Sequence, residues 1–363
     1  MKKLRIAIFC TNEWPTPPPE NTFYAPLWIA YFIAEGLAKR GHEVYYYGSK
    51  ESKISCHLVS DNMAAIKYNK ELQPYLADNN EKAVNFYEQL AIGRIYRDAA
   101  DKKLDIINIH PYRRAVQYAG IVPTPTVFTL HDPIEGFGKY VLEYTKKQPN
   151  SHIISISNSQ RKPAPGLNYA ATVYNGLNLK KYEFNPKPQN YFVAAGRFVP
   201  EKGIDIACQI AKKMKIKLKF VGGLAKGNYW DKEIKPYLSS DIKYQGMLKY
   251  YQMGDFLNQG RALLYPLRWE EPFGLIMTEA MAGGTPVIAF NHGSVPELIK
   301  DGVTGFIVKT IPEMIRAIKK IDTIDRRACR EWVEQKFTTE TMVDGYERAF
   351  YMILSKSNAN HER

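Results

Sequence analysis

Residues Ala262–Leu298 read ALLYPLRWEEPFGLIMTEAMAGGTPVIAFNHGSVPEL, and this stretch decides the fold. Short apolar runs at Ala262–Leu267 and Val287–Phe290 predict buried strands, and Leu275–Met281 has helical character. Glycines and prolines separate these segments, and Pro296 is suited to the first turn of a second helix. The pattern therefore predicts two strand–loop–helix units in a row. In open parallel sheets built from such units, ligands bind at the carboxyl ends of the strands.

Two acidic residues, Glu271 and Glu279, flank the predicted start of the first helix. At about 1.5 Å per residue, the helix from Gly274 to Glu279 rises roughly 7–8 Å. Free N–H groups at a helix start favour an anion, and a glycine there lets a ligand approach the backbone closely. A phosphate flanked by two hydroxyl-binding carboxylates describes a nucleotide-sugar site. On spacing alone the alternative is ordinary helix chemistry, with Glu279 in solvent.

This stretch resembles the E-x7-E region of retaining nucleotide-sugar glycosyltransferases with the GT-B fold, family 4 (glycosyl transferases group 1) in particular. The matching segments are EPFGL, TEAMAGGTPVIA, GSVPEL and, at Asp301–Ile307, DGVTGFI. The resemblance implies an α/β chain with two Rossmann-like, doubly wound parallel-sheet domains facing a central cleft. It assigns Glu271 to a hydroxyl of the donor sugar as a catalytic residue and Glu279 to the ribose. It implies that Gly274, Leu275 and Ile276 bind the donor phosphates.

The rest of the chain repeats the alternation of strands and helices. A strand at Leu4–Cys10, a helix at Ala25–Arg40 and a strand at Glu43–Tyr47 open the first half. A strand at Tyr191–Ala195 and a helix at Ile204–Met214 open the second half. This order predicts a parallel sheet in each half of the 363-residue chain.

The resemblance also sets the expected domain boundaries. Residues 1–178 should form an acceptor-binding domain. Val173–Leu177 resembles the last strand of that domain in the family. Residues 179–339 should form the nucleotide-sugar-binding domain, after a proline-containing linker at Lys180–Asn190. A C-terminal helix, at about 340–363, should pack back on the first domain.

Two cations in the second half, Arg197 and Lys202, lie in the segment GRFVPEKG. This segment resembles the loop that holds the donor phosphates in the same family. Fixed cations stabilise the negative charge that develops on a leaving diphosphate. The alternative is a surface pair in which these cations contact Glu201. For the nucleobase, the resemblance suggests Gly246 and Met247.

Histidines end two predicted strands of the first half. His131, in FTLHDP, matches the strand end whose histidine contacts the donor sugar in the family, so it is assigned as catalytic. The alternative is a histidine that satisfies its neighbouring loop. His110 has the same placement but a shorter motif, which favours a structural role, and His292 is expected to shape a loop.

The first loop, TNEWPTPPPEN, lacks the Gly-Gly pair that many relatives carry there. Its place is taken by ENTFY, and the acceptor is assigned to this loop through Trp14, Glu20, Asn21 and Tyr24. Phe23 belongs to the same aromatic group. The neighbouring Trp28 fits either a sugar-stacking role or the buried stripe of the following helix.

Composition excludes several classes of protein. The net charge of +13 is spread over both halves, which argues against a nucleic-acid partner. The cysteines Cys10, Cys56, Cys208 and Cys329 lie far apart, as expected of a protein in a reducing cytoplasm. No signal peptide or membrane-spanning run is predicted, so membrane contact is expected to be peripheral and only for a lipid acceptor.

The sequence contains neither D-x-D nor G-x-G-x-x-G, so we expect no metal, no cofactor and no dinucleotide dehydrogenase. The expected partners are a nucleotide-sugar donor, with a UDP-sugar favoured over a GDP-sugar, and a hydroxyl-bearing carbohydrate or other acceptor. The expected mechanism retains the anomeric configuration without a side-chain base. Two alternatives remain: a GT-B nucleotide-sugar epimerase and a catalytically silent nucleotide-sugar-binding protein.

Overall fold

The computed structural model of the protein describes residues 2–22, 24–223 and 228–361. Its internal contacts divide the chain into two compact units. Unit 1 contains the residues up to Ile156, Arg161–Tyr174 and the residues from Thr339 onward. Unit 2 contains Ser157–Gln160 and Asn175–Thr338. The chain thus returns to unit 1 after completing unit 2.

The strands are short and largely buried, as the apolar runs predict. They are β1 (Arg5–Phe9), β2 (Glu43–Tyr47), β3 (His57–Val59), β4 (Ile106–Ile109), β5 (Thr126–Thr129), β6 (Ser151–Ser155), β7 (Tyr169–Thr172), β8 (Phe192–Ala195), β9 (Leu218–Val221), β10 (Ile242–Tyr244), β11 (Leu263–Tyr265), β12 (Val287–Phe290) and β13 (Gly305–Val308).

Helices connect these strands. They are α1 (Ala25–Lys39), α2 (Gln73–Ala100), α3 (Tyr112–Ala115), α4 (Gly136–Glu143), α5 (Ile204–Met214), α6 (Gln252–Asn258), α7 (Leu275–Ala282), α8 (Val295–Leu298), α9 (Ile311–Lys320), α10 (Arg326–Lys336) and α11 (Thr339–His361). Among the described residues, none of these helices combines the length and the apolar character needed to cross a lipid bilayer.

Each unit contains one parallel sheet within the described residues. The sheet of unit 1 has the strand order β3-β2-β1-β4-β5-β6-β7, and that of unit 2 has the order β10-β9-β8-β11-β12-β13. The predicted fold class of two doubly wound parallel sheets is therefore confirmed. The strand order reverses between β1 and β4 in unit 1 and between β8 and β11 in unit 2. Loops diverge at such a switch point and leave a crevice for ligands.

The terminal helix α11 covers one face of the unit 1 sheet together with α1. Its buried side chains include Val343, Tyr346 and Phe350, which join one core cluster with Ile33 of α1. The Tyr346 hydroxyl also lies 3.2 Å from Oγ1 of Thr129, at the end of β5. Helix α11 thus contributes side chains to the core of unit 1.

The structure corrects some predicted elements. The last strand of unit 1 is β7 (Tyr169–Thr172), not Val173–Leu177. The chain leaves the sheet after β7, and Leu177 instead bridges to Thr338 in unit 2. Several predicted strands also run one or two residues too far, because the polar residues that follow them, such as His131, lie in loops.

Two helix glycines provide a test of the packing around α11. A Cβ atom at Gly36 of α1 would lie 2.5 Å from Cγ2 of Val343, whereas one at Gly93 of α2 would meet nothing within 4 Å. Alanine in place of a helical glycine gains about 0.5–1 kcal/mol in helix propensity. Gly93→Ala should therefore raise the free energy of unfolding by that amount. Gly36→Ala should lower it by about 1–2 kcal/mol, because overpacking outweighs propensity.

The measurement is urea unfolding of both variants followed by circular dichroism. Equal effects of the two substitutions would contradict the close approach of α1 and α11.

Candidate functional site

Two loops of unit 2 lie side by side because β8 and β11 are neighbours in the sheet. The loop after β8 carries Arg197 and Lys202, and the loop after β11 carries Glu271. The backbone N–H of Arg268 donates to the carbonyl oxygen of Glu201 at 2.8 Å and so joins the two loops. Residues that are about seventy positions apart in sequence thus meet at the predicted edge of the sheet.

The centre of this edge is the ion pair between Lys202 and Glu271. The Lys202 ammonium contacts Oε2 of Glu271, and the exposed fractions of the two side chains are 14% and 9%. The same oxygen accepts hydrogen bonds from the Tyr265 hydroxyl at 2.6 Å and from Nε1 of Trp269 at 3.1 Å. Burial and the neighbouring carboxylate raise the pKa of Tyr265, so its hydroxyl remains a donor. Three donors therefore fix one carboxylate oxygen.

The cation of this pair also lies against an aromatic face. Nζ of Lys202 is 4.6 Å from the centroid of the Trp269 ring. A ring face attracts a cation at this distance. Lys202 is thus held by a carboxylate and a ring, and it does not form the surface pair with Glu201 that was the alternative.

The loop after β12 holds the Glu271 loop in place. The N–H of Gly293 donates to Oε2 of Glu270 at 2.7 Å, and the N–H of Ser294 donates to the carbonyl oxygen of Glu271 at 2.9 Å. Gly293 has a φ of +56°, and a Cβ atom there would lie 2.2 Å from the Glu271 carbonyl oxygen. Only glycine allows this approach. His292, with Nδ1 at 3.0 Å from Oε1 of Glu270, belongs to the same contact.

Helix α7 begins directly beside Glu271. Its N-cap is Gly274, whose φ of +79° lies in the left-handed region. A Cβ atom at this position would lie 3.1 Å from Cγ of Glu271. The next residues, Leu275 and Ile276, are half-buried and belong to the first turn, whose N–H groups have no partner within the helix. The start of α7 and the Lys202 ammonium group therefore both lie next to Glu271.

Glu279 is buried in the second turn of α7, with an exposed fraction of 9%. Its Oε1 accepts a hydrogen bond from the Tyr182 hydroxyl at 3.0 Å. Burial raises the pKa of Glu279 from 4.5 to about 7. The alternative of a solvated helix residue is therefore wrong. Tyr182 was missed by the sequence analysis, because nothing in its own segment links it to a residue almost a hundred positions away.

The remaining residues assigned to the donor lie at the surface of unit 2. Arg197 is exposed and forms no ion pair within the described part of the chain. Gly246, with a φ of +84°, follows β10, and its carbonyl oxygen accepts the N–H of Gly222 at 3.2 Å. Met247 is 61% exposed. Their roles toward phosphate and nucleobase stay predictions.

In unit 1, His131 is paired with His110. Nε2 of His131 lies 2.7 Å from Nδ1 of His110, and the two rings stack with their centroids 4.9 Å apart. Burial lowers the pKa of His131 to about 4, and burial together with the neighbouring His131 lowers the pKa of His110 well below its usual range. The pair is therefore neutral near pH 7 and shares one N–H between its rings. His110, assigned a structural role from sequence, is the direct partner of the residue assigned to the sugar.

The predicted acceptor loop divides into an anchored and an exposed part. The Trp14 ring packs edge-on against Tyr68 at 6.4 Å, with Nζ of Lys67 5.8 Å from its centroid. Glu20, Asn21 and Tyr24 are exposed. This packing holds Trp14 in place, and the acceptor role of the group stays a prediction.

Two other aromatic residues, Trp28 and Phe23, were named with this loop. Trp28 is half-buried, and its ring stacks on Phe32 with centroids 5.8 Å apart. Phe23 lies outside the described residues.

A buried carboxylate at the carboxyl edge of the unit 1 sheet was also missed. Glu88 of α2 accepts hydrogen bonds from Oγ1 of Thr11 and, at 2.5 Å, from the Arg114 guanidinium. The neighbouring Asn12 is buried, and its Oδ1 has no hydrogen-bond partner among the described residues. No motif marks Glu88, because its helix lies in the part of the chain where the family resemblance is weakest.

Within the described ranges, no three His, Cys, Asp or Glu side chains gather in a way that could hold a metal ion.

The raised pKa of Glu279 predicts how stability depends on pH. A carboxyl group whose pKa is higher in the folded than in the unfolded state destabilises the fold as pH rises between the two values, here from 4.5 to about 7. Glutamine cannot ionise, so Glu279→Gln should gain about 2–3 kcal/mol in unfolding free energy relative to wild type between pH 5 and pH 8. Urea unfolding at both pH values measures this gain.

The exposed Glu331→Gln, on α10, is the matched control and should show no such gain. The same difference from wild type at pH 5 and pH 8 in Glu279→Gln would show that the carboxyl group is not buried as described.

Comparison with known proteins bears on the family and the fold. Residues 178–335 match the family model described as glycosyl transferases group 1. An uncharacterized glycosyltransferase of Methanocaldococcus jannaschii is 28% identical over 226 residues, which are 59% of this chain and 62% of the relative. The aligned region spans between about half and three-fifths of the first curated relatives that the chain matches.

Solved structures cover nearly the whole chain. Sucrose-phosphate synthase from Thermosynechococcus elongatus is 18% identical, with a TM-score of 0.72 over 98% of this chain and 100% of that one. HepE from Anabaena, in complex with UDP and glucose, is 17% identical, with a TM-score of 0.68 over 96% of this chain and 100% of that one. At this identity the likeness shows the fold. The protein thus has the GT-B fold, and its residues 178–335 match the glycosyl transferases group 1 family.

Proposed function

We propose that the protein is a retaining, metal-independent glycosyltransferase. It would move a sugar from a nucleoside-diphosphate sugar, a UDP-sugar before a GDP-sugar, to a hydroxyl of a glycan, a glycolipid or a small molecule. The observation that carries the proposal is the Lys202–Glu271 pair beside the start of α7. A fixed cation, a helix start and a carboxylate lie together there, as a sugar diphosphate requires.

The diphosphate is the anion that this edge suits best. Lys202 supplies a positioned ammonium group, and the first N–H groups of α7, at Leu275 and Ile276, supply backbone donors. Arg197 is exposed in the same loop as Lys202 and free to move onto a phosphate. As the bond from the anomeric carbon to the phosphate oxygen breaks, negative charge grows on the diphosphate, and these groups stabilise it. No metal is needed for that step.

Glu279 is the residue proposed to bind the ribose. Tyr182 occupies Oε1, so Oε2 is the oxygen that would accept hydrogen bonds from ribose hydroxyls. Burial keeps the carboxyl group near its midpoint at neutral pH, with a pKa of about 7. Hydroxyl donors favour the ionised form, so nucleotide binding should release a proton from Glu279.

Glu271 is the residue proposed to bind the transferred sugar. Its Oε2 is taken up by Lys202, Tyr265 and Trp269, so Oε1 is the oxygen that would accept a sugar hydroxyl. Three donors on the other oxygen stabilise the negative charge of this carboxylate, which makes it a poor nucleophile, and they hold Oε1 in a fixed position. For unit 1, His131 is proposed to contact the sugar as a neutral group, because burial lowers its pKa to about 4.

Retention then follows without a protein nucleophile. The bond between the anomeric carbon and the leaving oxygen breaks, and the acceptor oxygen bonds to the same face of that carbon. The acceptor proton passes to the leaving diphosphate, which gains the electron pair. The UDP in the HepE structure supports a uridine donor as the first candidate.

The proposal is tested by incubating the purified protein with UDP-, GDP- and ADP-sugars in EDTA and measuring release of the nucleoside diphosphate. We expect slow release from one donor class, at a rate that Mg²⁺ or Mn²⁺ does not raise, because Lys202 and the helix start neutralise the diphosphate. Lys202→Ala should reduce this rate by about 10²-fold or more.

Three outcomes would contradict the proposal. An EDTA-treated protein that Mn²⁺ or Mg²⁺ revives would exclude metal independence. Conversion of the donor sugar to its epimer with no transfer would indicate an epimerase. Tight donor binding with no release at any acceptor concentration would indicate a silent binding protein.

A further inference from the structure

The outer face of α4 in unit 1 carries a row of exposed aromatic side chains. Helix α4 continues as a single turn of 3-10 helix at Tyr144–Lys147. Its inner face is buried through Val141 and Leu142. On the outer face, Phe137, Tyr140 and Tyr144 are 71%, 62% and 47% exposed. A surface helix normally presents charged or polar residues there, so these three residues, the aromatic row, need a separate explanation.

The row is continuous. The ring centroids of Phe137 and Tyr140 lie 6.2 Å apart, and those of Tyr140 and Tyr144 lie 6.1 Å apart. Contiguous exposed apolar surface marks an interaction site more often than scattered residues do. The planes of neighbouring rings differ by 20° and 66°, so the rings do not form one flat platform for a sugar. A bilayer interface accepts aromatic rings at any of these angles.

Basic residues accompany the row in the sequence. Lys139, Lys146 and Lys147 belong to the same segment, and Nζ of Lys147 lies 5.1 Å from the Tyr144 ring centroid. The exposed Arg113 borders α4 near Gly138. Gly136–Lys147 contains one acidic residue, Glu143, which is paired with Lys146, and the exposed Glu135 precedes the segment. Lysines with long apolar stems beside aromatic rings fit an interface whose surface is negative.

We propose that the aromatic row and its lysines dock unit 1 on an anionic lipid bilayer. The contact is peripheral, because three side chains on one short helix reach only the headgroup boundary. The net charge of +13 adds long-range attraction to the same surface. This inference does not depend on the proposed transfer reaction, since it concerns binding to lipid and not chemistry.

The test is co-sedimentation of the full chain with vesicles of phosphatidylcholine alone and of phosphatidylcholine with about one-third phosphatidylglycerol. Wild type should bind only the anionic vesicles, and added salt should weaken the binding. Phe137→Ser/Tyr140→Ser should lower the partition coefficient by about tenfold or more. Lys146→Glu/Lys147→Glu should lower it as well, without loss of any ring.

The matched control is Phe86→Ser/Leu90→Ser on α2, which removes two other exposed apolar side chains, 64% and 47% exposed. It should bind within about twofold of wild type. Circular dichroism checks that each variant is folded. Failure of wild type to bind anionic vesicles, or equal losses in the two double serine variants, would overturn the proposal. So would a wild-type oligomer that dissociates in Phe137→Ser/Tyr140→Ser without any lipid binding, since the row would then contact a second copy.

Discussion

The buried ion pair between Lys202 and Glu271 is the interaction on which the rest of unit 2 depends. Removing two charges from water costs several kcal/mol per ion, and their attraction offsets this only with good geometry and further hydrogen bonds. Tyr265 and Trp269 provide those hydrogen bonds, and both point at the oxygen that Lys202 contacts. The loops after β8, β11 and β12 must therefore keep their positions for the pair to be tolerated.

The Lys202–Glu271 pair of unit 2 and the His110–His131 pair of unit 1 are buried in different charge states. At the edge of unit 2 a charge is kept and surrounded by partners. At the edge of unit 1 the His110–His131 pair is neutral, because burial lowers both pKa values and a second positive charge beside the first is unfavourable. A neutral pair donates and accepts hydrogen bonds without attracting counter-ions.

Much of the fold could be predicted from the sequence, because buried parallel strands are written as short apolar runs between glycines and prolines. The positions of β12 and α5 were predicted to the residue. The prediction of a strand at Val173–Leu177 was wrong. Pairing with β6, and not local composition, decides where β7 ends. Helix α2 was not predicted, since its polar sequence gives no clear apolar stripe.

Spacing along the chain indicates that candidate residues lie close together only where they share one motif. Glu271, Gly274 and Glu279 share a loop and a helix, so their spacing carried information. Tyr182 lies 97 residues from the carboxylate that it contacts, and His110 lies 21 residues from His131. Partnerships of this kind arise from the strand order, which no local pattern records. The position of the Glu271 loop and of α7 was thus more predictable than the contacts that fix their side chains.

If Lys202 is positioned to bind the diphosphate of the donor, its ammonium group should contact the second phosphate of a nucleotide. Calorimetric titration with UDP and UMP measures this contact as a difference in affinity. Wild type should bind UDP at least about tenfold more tightly than UMP, and Lys202→Met should lose most of that difference. The double variant Lys202→Met/Glu271→Gln, which leaves no unpaired buried charge, should lose it as well. If the preference for UDP over UMP survives in the double variant, Lys202 does not bind the second phosphate, and the account of this edge is wrong.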